Sequence, residues 1–266
     1  MASEAVIDDA EAAELTSVKA VSALARRMYG GDPRSGGVIH PTAVWQPAGD
    51  AVCYRVLKIT GATPRSHHDA FALNLARARA DAILTTGKNL RQEPELTHGF
   101  LGSRRTGQAL AGWRREVRAR SEPPWSVVLT SGRDVDLDHP LFAGPGQAVL
   151  YTGEDGAKRL RDGAVQRDIR VVADPLPDLR RAVAWLQRQG LGTISIEAGP
   201  SSACDLYKHT RMVEELLLSE YQGPLPAKLR GGEFLKAEAL AQMFPCRSKD
   251  FTVSTTEGEW RFRRHG

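Results

Sequence analysis

The chain has 266 residues, of which 41% are hydrophobic and 26% are charged, a composition typical of a globular protein with one large core. Its formal net charge of +4 favours anionic ligands and leaves phosphorylated small molecules and nucleic acid both open. Three widely spaced cysteines argue against a disulfide framework, no apolar run could span a membrane, and the acidic N-terminus is unlike a secretory signal or transit peptide, so we expect a cytoplasmic protein.

The first fifty residues predict a helix followed by a segment with little pattern. Apolar residues share one face of residues 11–28, and Gly30 and Gly31 end that helix. Residues 30–50 are rich in Gly and Pro, so we interpret them as a linker or an arm that packs on the rest of the chain. We therefore place a boundary between residues 1–50, an N-terminal helix and arm, and residues 51–266, the main domain.

Beyond this boundary, predicted strands alternate with predicted helices. Ser66 is a candidate N-cap with Asp69 three residues later, and residues 178–189 form the clearest amphipathic helix. The predicted strands are residues 52–59, 82–84, 125–130, 148–151, 170–172, 193–197 and 215–219, with a hairpin at 251–255 and 260–263. This order predicts an α/β fold with a mostly parallel mixed sheet, helices on both faces and a C-terminal antiparallel hairpin.

A Glu-Ala-Gly-Pro-Ser sequence that begins at Glu197 is the candidate ligand site. Glu197 ends a predicted strand, and open α/β sheets bind ligands beyond the carboxyl ends of their strands. Gly199 lets a ligand approach the backbone, and Pro200 begins a helix. The hydroxyls of Ser201 and Ser202 lie beside the free amides of that helix, an arrangement that favours a phosphate. A plain strand-to-helix turn explains the local residues equally well.

Three other features have a functional and a structural interpretation. Residues 67–69 read His-His-Asp, but no partner residues with metal-ligand spacing accompany them, so a helix N-terminus is the favoured interpretation. Cys204 has no evident base that would make it a catalytic thiolate, which favours a buried apolar role. The arginines between residues 104 and 120 have Trp113 as their only interleaved aromatic, so a solvated helix face or an active-site flap is favoured over nucleic-acid binding.

Three patches in chain order carry a family resemblance. They are residues 196–203 with 213–216, residues 75–84 with 93–97, and residues 127–131 with Arg133. Together they resemble the reductase domain of the bifunctional riboflavin-biosynthesis deaminase/reductase, which belongs to the dihydrofolate-reductase-like superfamily. The resemblance implies a three-layer α/β/α fold, a homodimer, and an oxidoreductase that transfers a hydride from NADPH to a small substrate. Phosphorylated and heterocyclic substrates are both left open.

The resemblance also implies roles for individual residues. Glu197 would lie near the reacting carbon, and Arg77 would reach an anionic group of the substrate. The implied cofactor-binding residues are Thr85, Thr86 and Gly87 beside the nicotinamide, Ser131 and Arg133 at the adenosine-side phosphate that selects NADPH, and Gly199, Pro200, Ser201 and Ser202 at the pyrophosphate.

Departures from the family pattern fall on the substrate side. If residues 52–59 are the first strand, the loop that the family has after that strand is missing. The family's acidic pair is reduced to Glu93, and residues 98–99 read His-Gly where an arginine is expected. We therefore keep two hypotheses, a reductase with an undetermined substrate and a catalytically inactive descendant that binds a nucleotide as a sensor or interaction module. Oxidation of bound NADPH by any substrate would distinguish them.

Overall fold

The computed structural model describes residues 7–31, 36–46, 53–199, 202, 205–208, 212–246 and 248–266. The strands are β1 (Ile7–Asp8), β2 (Gly37–Trp45), β3 (Cys53–Leu57), β4 (Ala82–Thr86), β5 (Trp125–Leu129), β6 (Ala148–Thr152), β7 (Ile169–Ala173), β8 (Thr193–Ile196), β9 (Glu215–Tyr221), β10 (Arg230–Lys236), β11 (Phe251–Ser254) and β12 (Glu259–His265). The helices are α1 (Val18–Tyr29), α2 (His67–Arg79), α3 (Gly87–Gln92), α4 (Arg104–Arg118), α5 (Glu154–Val165), α6 (Leu179–Arg188), α7 (Asp205–Lys208) and α8 (Ala237–Met243). No helix in these ranges is long and apolar enough to cross a membrane.

The described strands form one mixed sheet. Its parallel part has the strand order β9, β2, β8, β4, β5, β6 and β7. β12 lies antiparallel to β9, β11 lies antiparallel to β12, and β1 runs parallel beside β11. The predicted mostly parallel sheet with a C-terminal antiparallel hairpin is confirmed.

Helices cover both faces of this sheet. Leu75 of α2 and Leu110 of α4 pack in one buried cluster with Leu217 of β9. The next residue of β9, Leu216, points to the opposite face and packs in a second cluster with Leu186 of α6. The predicted three-layer α/β/α arrangement is therefore confirmed.

The predicted N-cap of α2 is also confirmed. The Ser66 hydroxyl accepts hydrogen bonds from the backbone amides of His68 (3.1 Å) and Asp69 (3.3 Å). Asp9 adds a second cap, because its carboxylate accepts hydrogen bonds from the Ser66 hydroxyl (2.7 Å) and the His67 amide (2.8 Å). The His-His-Asp sequence is thus the first turn of a helix, and no group of metal-ligating side chains occurs in the part of the chain that is described.

The prediction of a linker or an arm with little pattern over residues 30–50 is wrong for residues 37–45, which form β2. β2 lies in the middle of the sheet, between β8 and β9. Pro41 and the flanking glycines hide its strand signal, since proline is normally confined to strand edges. On one side, β2 pairs with β8 only as far as Ile39 and with β3 only from Val44. Pro41 lies between these two stretches, where neither strand needs a backbone amide from it. The boundary proposed at residue 50 therefore separates residues that share one sheet.

The position of β2 also changes the interpretation of the missing loop. The missing loop depends on residues 52–59 being the first strand, but β2 precedes them in the chain and β3 lies antiparallel to β2. The segment after the first central strand is therefore residues 46–52, of which only Gln46 is described. The argument that a loop has been lost has no support.

One helix boundary and the environment of the arginine-rich segment differ from the prediction. The helix expected over residues 11–28 begins at Val18, where the Ser17 hydroxyl accepts a hydrogen bond from the Ala20 amide at 3.2 Å, and it ends at Gly30 in a left-handed conformation. The arginine-rich segment forms α4, in which Arg114 is buried and donates hydrogen bonds to backbone carbonyls.

Candidate active site

The carboxyl ends of β8, β4, β5 and β6 lie side by side, and each leads into a turn. Glu197 follows β8, Gly87 follows β4, Thr130 follows β5 and Gly153 follows β6. The fold thus brings site residues predicted from three separate segments to one edge of the sheet, where open α/β sheets bind their ligands.

Glu197 and Arg77 form a bidentate ion pair at this edge. Arg77 Nε donates to Glu197 Oε1 at 2.8 Å, and Arg77 Nη2 donates to Glu197 Oε2 at 2.6 Å. Arg77 Nη1 donates to the Gly99 carbonyl at 2.5 Å. The Arg77 side chain is only 2% exposed and the Glu197 side chain 11%, so the arginine orients the carboxylate and has no free face toward a ligand.

Two further titratable groups surround this ion pair. Burial alone would raise the pKa of Glu197, but the charge and hydrogen bonds of Arg77 outweigh burial and hold that pKa below its usual value. Burial and then the Glu197 charge raise the pKa of Glu93. Burial lowers the pKa of His98 to about 4, so this imidazole is neutral at pH 7. As the pH rises, Glu197 therefore loses its proton before Glu93 does.

The turn after β8 is fastened to the turn after β4. The Thr85 hydroxyl donates to the Glu197 carbonyl at 2.8 Å, and Asn89 Nδ2 donates to the same carbonyl at 3.0 Å. The Thr86 hydroxyl caps α3 by accepting from the Asn89 amide at 3.4 Å. A Cβ placed on Gly199 would lie 3.7 Å from Asn89 Oδ1, so the two turns are neighbours. Thr85 is fully buried, which makes it a residue that holds the turn.

Glycines allow the turns after β4 and β5 to pack closely. A Cβ on Gly87 would lie 2.8 Å from the Thr130 hydroxyl oxygen, which no ordinary side chain permits. Gly132 has a φ of +75°, and a Cβ there would lie 2.5 Å from Gly156 Cα in the first turn of α5. Ser131 and Arg133, which flank Gly132, are both exposed at this edge.

The remaining predicted site residues lie between β8 and α7 in the chain. Pro200 and Ser201, together with Cys204, lie outside the described residues. The Ser202 amide donates to the Gly199 carbonyl at 3.1 Å, as in a tight turn. Sequence reasoning missed Asn89 and His98, although the three-residue spacing from Thr86 to Asn89 is that of an N-cap contact.

A groove of about 490 Å³ lies beyond the carboxyl ends of β2 and β9. It is lined by Trp45, residues 222–226 and Arg230. The Arg230 guanidinium lies 4.4 Å from the centre of the Trp45 ring and donates to the Leu225 carbonyl. This groove is on the same edge of the sheet as Glu197, since β2 and β9 run parallel to β8.

Comparison with known proteins agrees with this architecture. No protein-family model and no curated protein sequence matches the chain. A pyrimidine reductase-like protein from Corynebacterium diphtheriae is similar in structure, with a TM-score of 0.61, 18% identity, and coverage of 91% of this chain and 97% of that chain. The riboflavin biosynthesis reductase Rib7 of Saccharomyces cerevisiae has a TM-score of 0.53 and 12% identity, with coverage of 89% and 92%.

RibD of Acinetobacter baumannii is also similar, with a TM-score of 0.56, 13% identity and coverage of 88% of this chain. The chain spans 59% of the length of that RibD. Identities this low establish the fold alone. The chain has the same fold as these proteins, in agreement with the predicted three-layer α/β architecture.

Proposed function

We propose that the protein is an NADPH-dependent reductase that transfers a hydride to a small substrate. The observation that carries the proposal is the row of glycine-bearing turns at the carboxyl ends of β8, β4 and β5, beside the Glu197–Arg77 ion pair. The names of RibD, Rib7 and the pyrimidine reductase-like protein support it, because proteins with this fold include reductases.

The residues present at this edge fit a dinucleotide. The backbone at Gly199 leaves room for close approach, because the nearest described atom to a Cβ there is Asn89 Oδ1 at 3.7 Å. We assign the nicotinamide side to Thr86 and Gly87, the pyrophosphate to the turn from Gly199 to Ser202, and the adenosine side to the turn of Ser131 and Arg133. When bound, NADPH would supply the hydride and leave the protein to position and polarise the substrate.

Glu197 and its neighbours would supply the charge at the reacting centre. Arg77 fixes both oxygens of the Glu197 carboxylate, so its position is set before a substrate arrives. Reduction of a C=N or C=O bond consumes one proton as well as the hydride. Glu93, whose pKa is raised beside Glu197, keeps a proton to higher pH and is placed in the same cluster.

The substrate would enter where the neighbour of β2 changes from β8 to β3. β2 pairs with β8 up to Ile39 and with β3 from Val44 onward, and this change lies beside the carboxyl end of β8. Because residues 46–52 follow the first central strand, the missing loop no longer counts against the family substrate, whereas the departures at Glu93 and at residues 98–99 remain. We therefore place a phosphorylated, ribosylated aminopyrimidine first among the candidate substrates.

The test is NADPH oxidation, followed by loss of nicotinamide absorbance, with that aminopyrimidine as substrate. We expect Glu197→Gln to lower kcat about 100-fold or more while NADPH affinity changes by less than about threefold. Glu154→Gln, an exposed carboxylate of α5, is the matched control and should keep the wild-type kcat. NADPH binding without oxidation by this substrate would reject the substrate, whereas no NADPH binding would reject the reductase.

A further inference from the structure

His139 is a buried histidine that the proposed function does not use. It lies in the connection between β5 and β6, directly before the short 3₁₀ helix of Pro140–Ala143, and it is only 4% exposed. Its Nδ1 accepts a hydrogen bond from the Leu141 amide at 3.2 Å, and its Nε2 lies 3.1 Å from the Glu93 carbonyl oxygen. The imidazole thus joins two segments that are 46 positions apart in the chain.

These two contacts determine which ring nitrogen of His139 carries the proton. A backbone amide can only donate and a carbonyl oxygen can only accept, so Nδ1 is unprotonated and Nε2 carries the hydrogen. His139 therefore caps the 3₁₀ helix with one nitrogen and donates to Glu93 with the other. Phe142 packs edge-on against the imidazole, with the ring centres 6.4 Å apart, and limits its rotation.

The backbone of Glu93 is held by three hydrogen bonds. Its amide donates to the Asn89 carbonyl at 2.9 Å, and its carbonyl accepts from the Leu96 amide at 2.9 Å as well as from His139. Asn89 is also the residue whose side chain donates to the Glu197 carbonyl. The Glu93 backbone is therefore connected to the turn of Glu197 on one side and to His139 on the other.

The Glu93 side chain has no comparable anchor. Burial and the charge of Glu197 raise the pKa of its carboxyl group and the charge of Arg77 lowers it, but no side chain or amide in the described part of the chain forms a hydrogen bond with that group. A carboxyl group without a hydrogen bond is kept in place by its backbone alone. The contacts of the Glu93 backbone thus decide whether the carboxyl group stays beside Glu197.

We propose that His139 is a positioning residue for the reduction, which holds Glu93 beside Glu197 so that the Glu93 carboxyl group can protonate the substrate. The role rests on the proposed function, because it requires Glu93 to be the proton donor. In that step the carbon of the C=N or C=O bond receives the hydride, NADPH is oxidised to NADP⁺, and the nitrogen or oxygen receives the Glu93 proton. The Glu93 carboxylate then regains a proton from water, and His139 itself transfers none.

Two substitutions separate the contact with Glu93 from the helix cap. Asparagine accepts from the Leu141 amide as an N-cap residue but is too short to reach Glu93, so His139→Asn keeps the cap and loses the donor. Glutamine brings its amide nitrogen to the position of Nε2, so His139→Gln keeps the donor and loses the cap. The ¹³C carboxyl resonance of Glu93, identified by its loss in Glu93→Gln, reports the titration of this group without any substrate.

We expect the pKa of Glu93 to fall toward its usual value in His139→Asn, because the carboxyl group moves toward solvent. The loss of kcat on the alkaline side of the pH profile should then move to lower pH, and kcat at pH 7 should fall about 10-fold or more while NADPH affinity is unchanged. His139→Gln should match the wild type in the Glu93 titration and in kcat, although its Tm is lower.

The outcomes separate this proposal from the reductase itself. A Glu93 titration and a pH profile of His139→Asn that match the wild type would overturn the positioning role and leave the reductase standing. An equal loss of kcat in both variants would also overturn it, because His139 would then serve the structure alone. If the folded wild type does not oxidise NADPH, the reductase and the catalytic role of His139 both fall, whereas the titration still decides whether His139 holds Glu93 in place.

Discussion

Glu197 and Arg77 lie 120 positions apart in the chain and meet in one ion pair. Glu197 could be predicted, because a carboxylate at a strand end before Gly and Pro is an unusual local pattern. The pairing with Arg77 could not be predicted, because an arginine near the end of a helix gives no local indication of the residue that it contacts. The family resemblance gave Arg77 a substrate role, whereas its three hydrogen bonds make it the residue that positions Glu197.

The first residue-scale prediction concerns this pair. Arg77→Met should lower the free energy of unfolding by about 3–5 kcal/mol at pH 7, because it leaves the nearly buried Glu197 carboxylate without a partner. The pKa of Glu197 should rise above its usual value in the same variant. Urea denaturation at several pH values measures both effects. The double variant with Glu197→Gln should recover part of the loss, and unchanged stability of Arg77→Met would show that the pair is unimportant.

The second residue-scale prediction concerns Asp69 in the first turn of α2. Burial raises the pKa of this carboxyl from 3.8 to about 6. The folded state therefore binds more protons than the unfolded state between pH 4 and 6, so Asp69 lowers stability progressively as the pH rises through this range. Asp69→Asn should be more stable than the wild type by about 1–3 kcal/mol at pH 7 and show little gain near pH 4. Thermal unfolding across this range checks the sign, with the exposed Asp162→Asn as control.

At the scale of elements, two helices that begin with a side-chain cap could be predicted, whereas α5, which lacks one, could not. Ser66 and Asp178 each cap the helix that was expected after them. α5 has Gly153 as its N-cap residue, without a side-chain cap, and contains Gly156 and Gly163, so its local signal is weak. Gly156 is there because a Cβ would lie 2.8 Å from the Ser131 carbonyl, a tertiary requirement that opposes helix propensity.

The element-scale prediction concerns the segment of residues 93–101, which carries Glu93 and His98. Asn74 of α2 holds it by donating to the Leu101 carbonyl at 2.9 Å and accepting from the Leu101 amide at 2.7 Å. Asn74→Ala should lower the free energy of unfolding by about 2 kcal/mol, because both backbone groups lose their partner. The Leu101 amide should exchange with solvent much faster, while amides in the middle of α4 stay protected. Unchanged exchange at Leu101 would mean that Asn74 does not hold this segment.

At the scale of the whole molecule, the order of strands and helices was sufficient to predict the layered fold. The place of the first central strand was not, because β2 contains Pro41 and is flanked by glycines that locally indicate a linker. β2 pairs with β8 over residues 37–39 and with β9 over residues 39–45. A local sequence pattern gives no indication of such long-range contacts, which join residues on both sides of position 50 in one sheet.

The whole-molecule prediction follows from this placement. A chain that begins at residue 51 lacks β2, so β8 and β9 lose the strand that joins them. Such a chain should show no cooperative thermal unfolding, because the sheet is divided in its middle. Circular dichroism during heating is the measurement. A cooperative transition like that of the full chain would show that residues 51–266 fold without β2, as the boundary at residue 50 predicts.

The central claim is that the turns after β8, β4 and β5 form an NADPH site. Titration of NADPH into the wild-type chain, followed by nicotinamide fluorescence, tests it most directly. The account predicts saturable binding that NADH matches only at much higher concentration. A bulky substitution in the turn after β8, Gly199→Val, should abolish this binding without unfolding the protein, because the nearest described atom to a Cβ at Gly199 lies at an ordinary contact distance of 3.7 Å. Absence of saturable NADPH binding by the folded wild-type chain would contradict it.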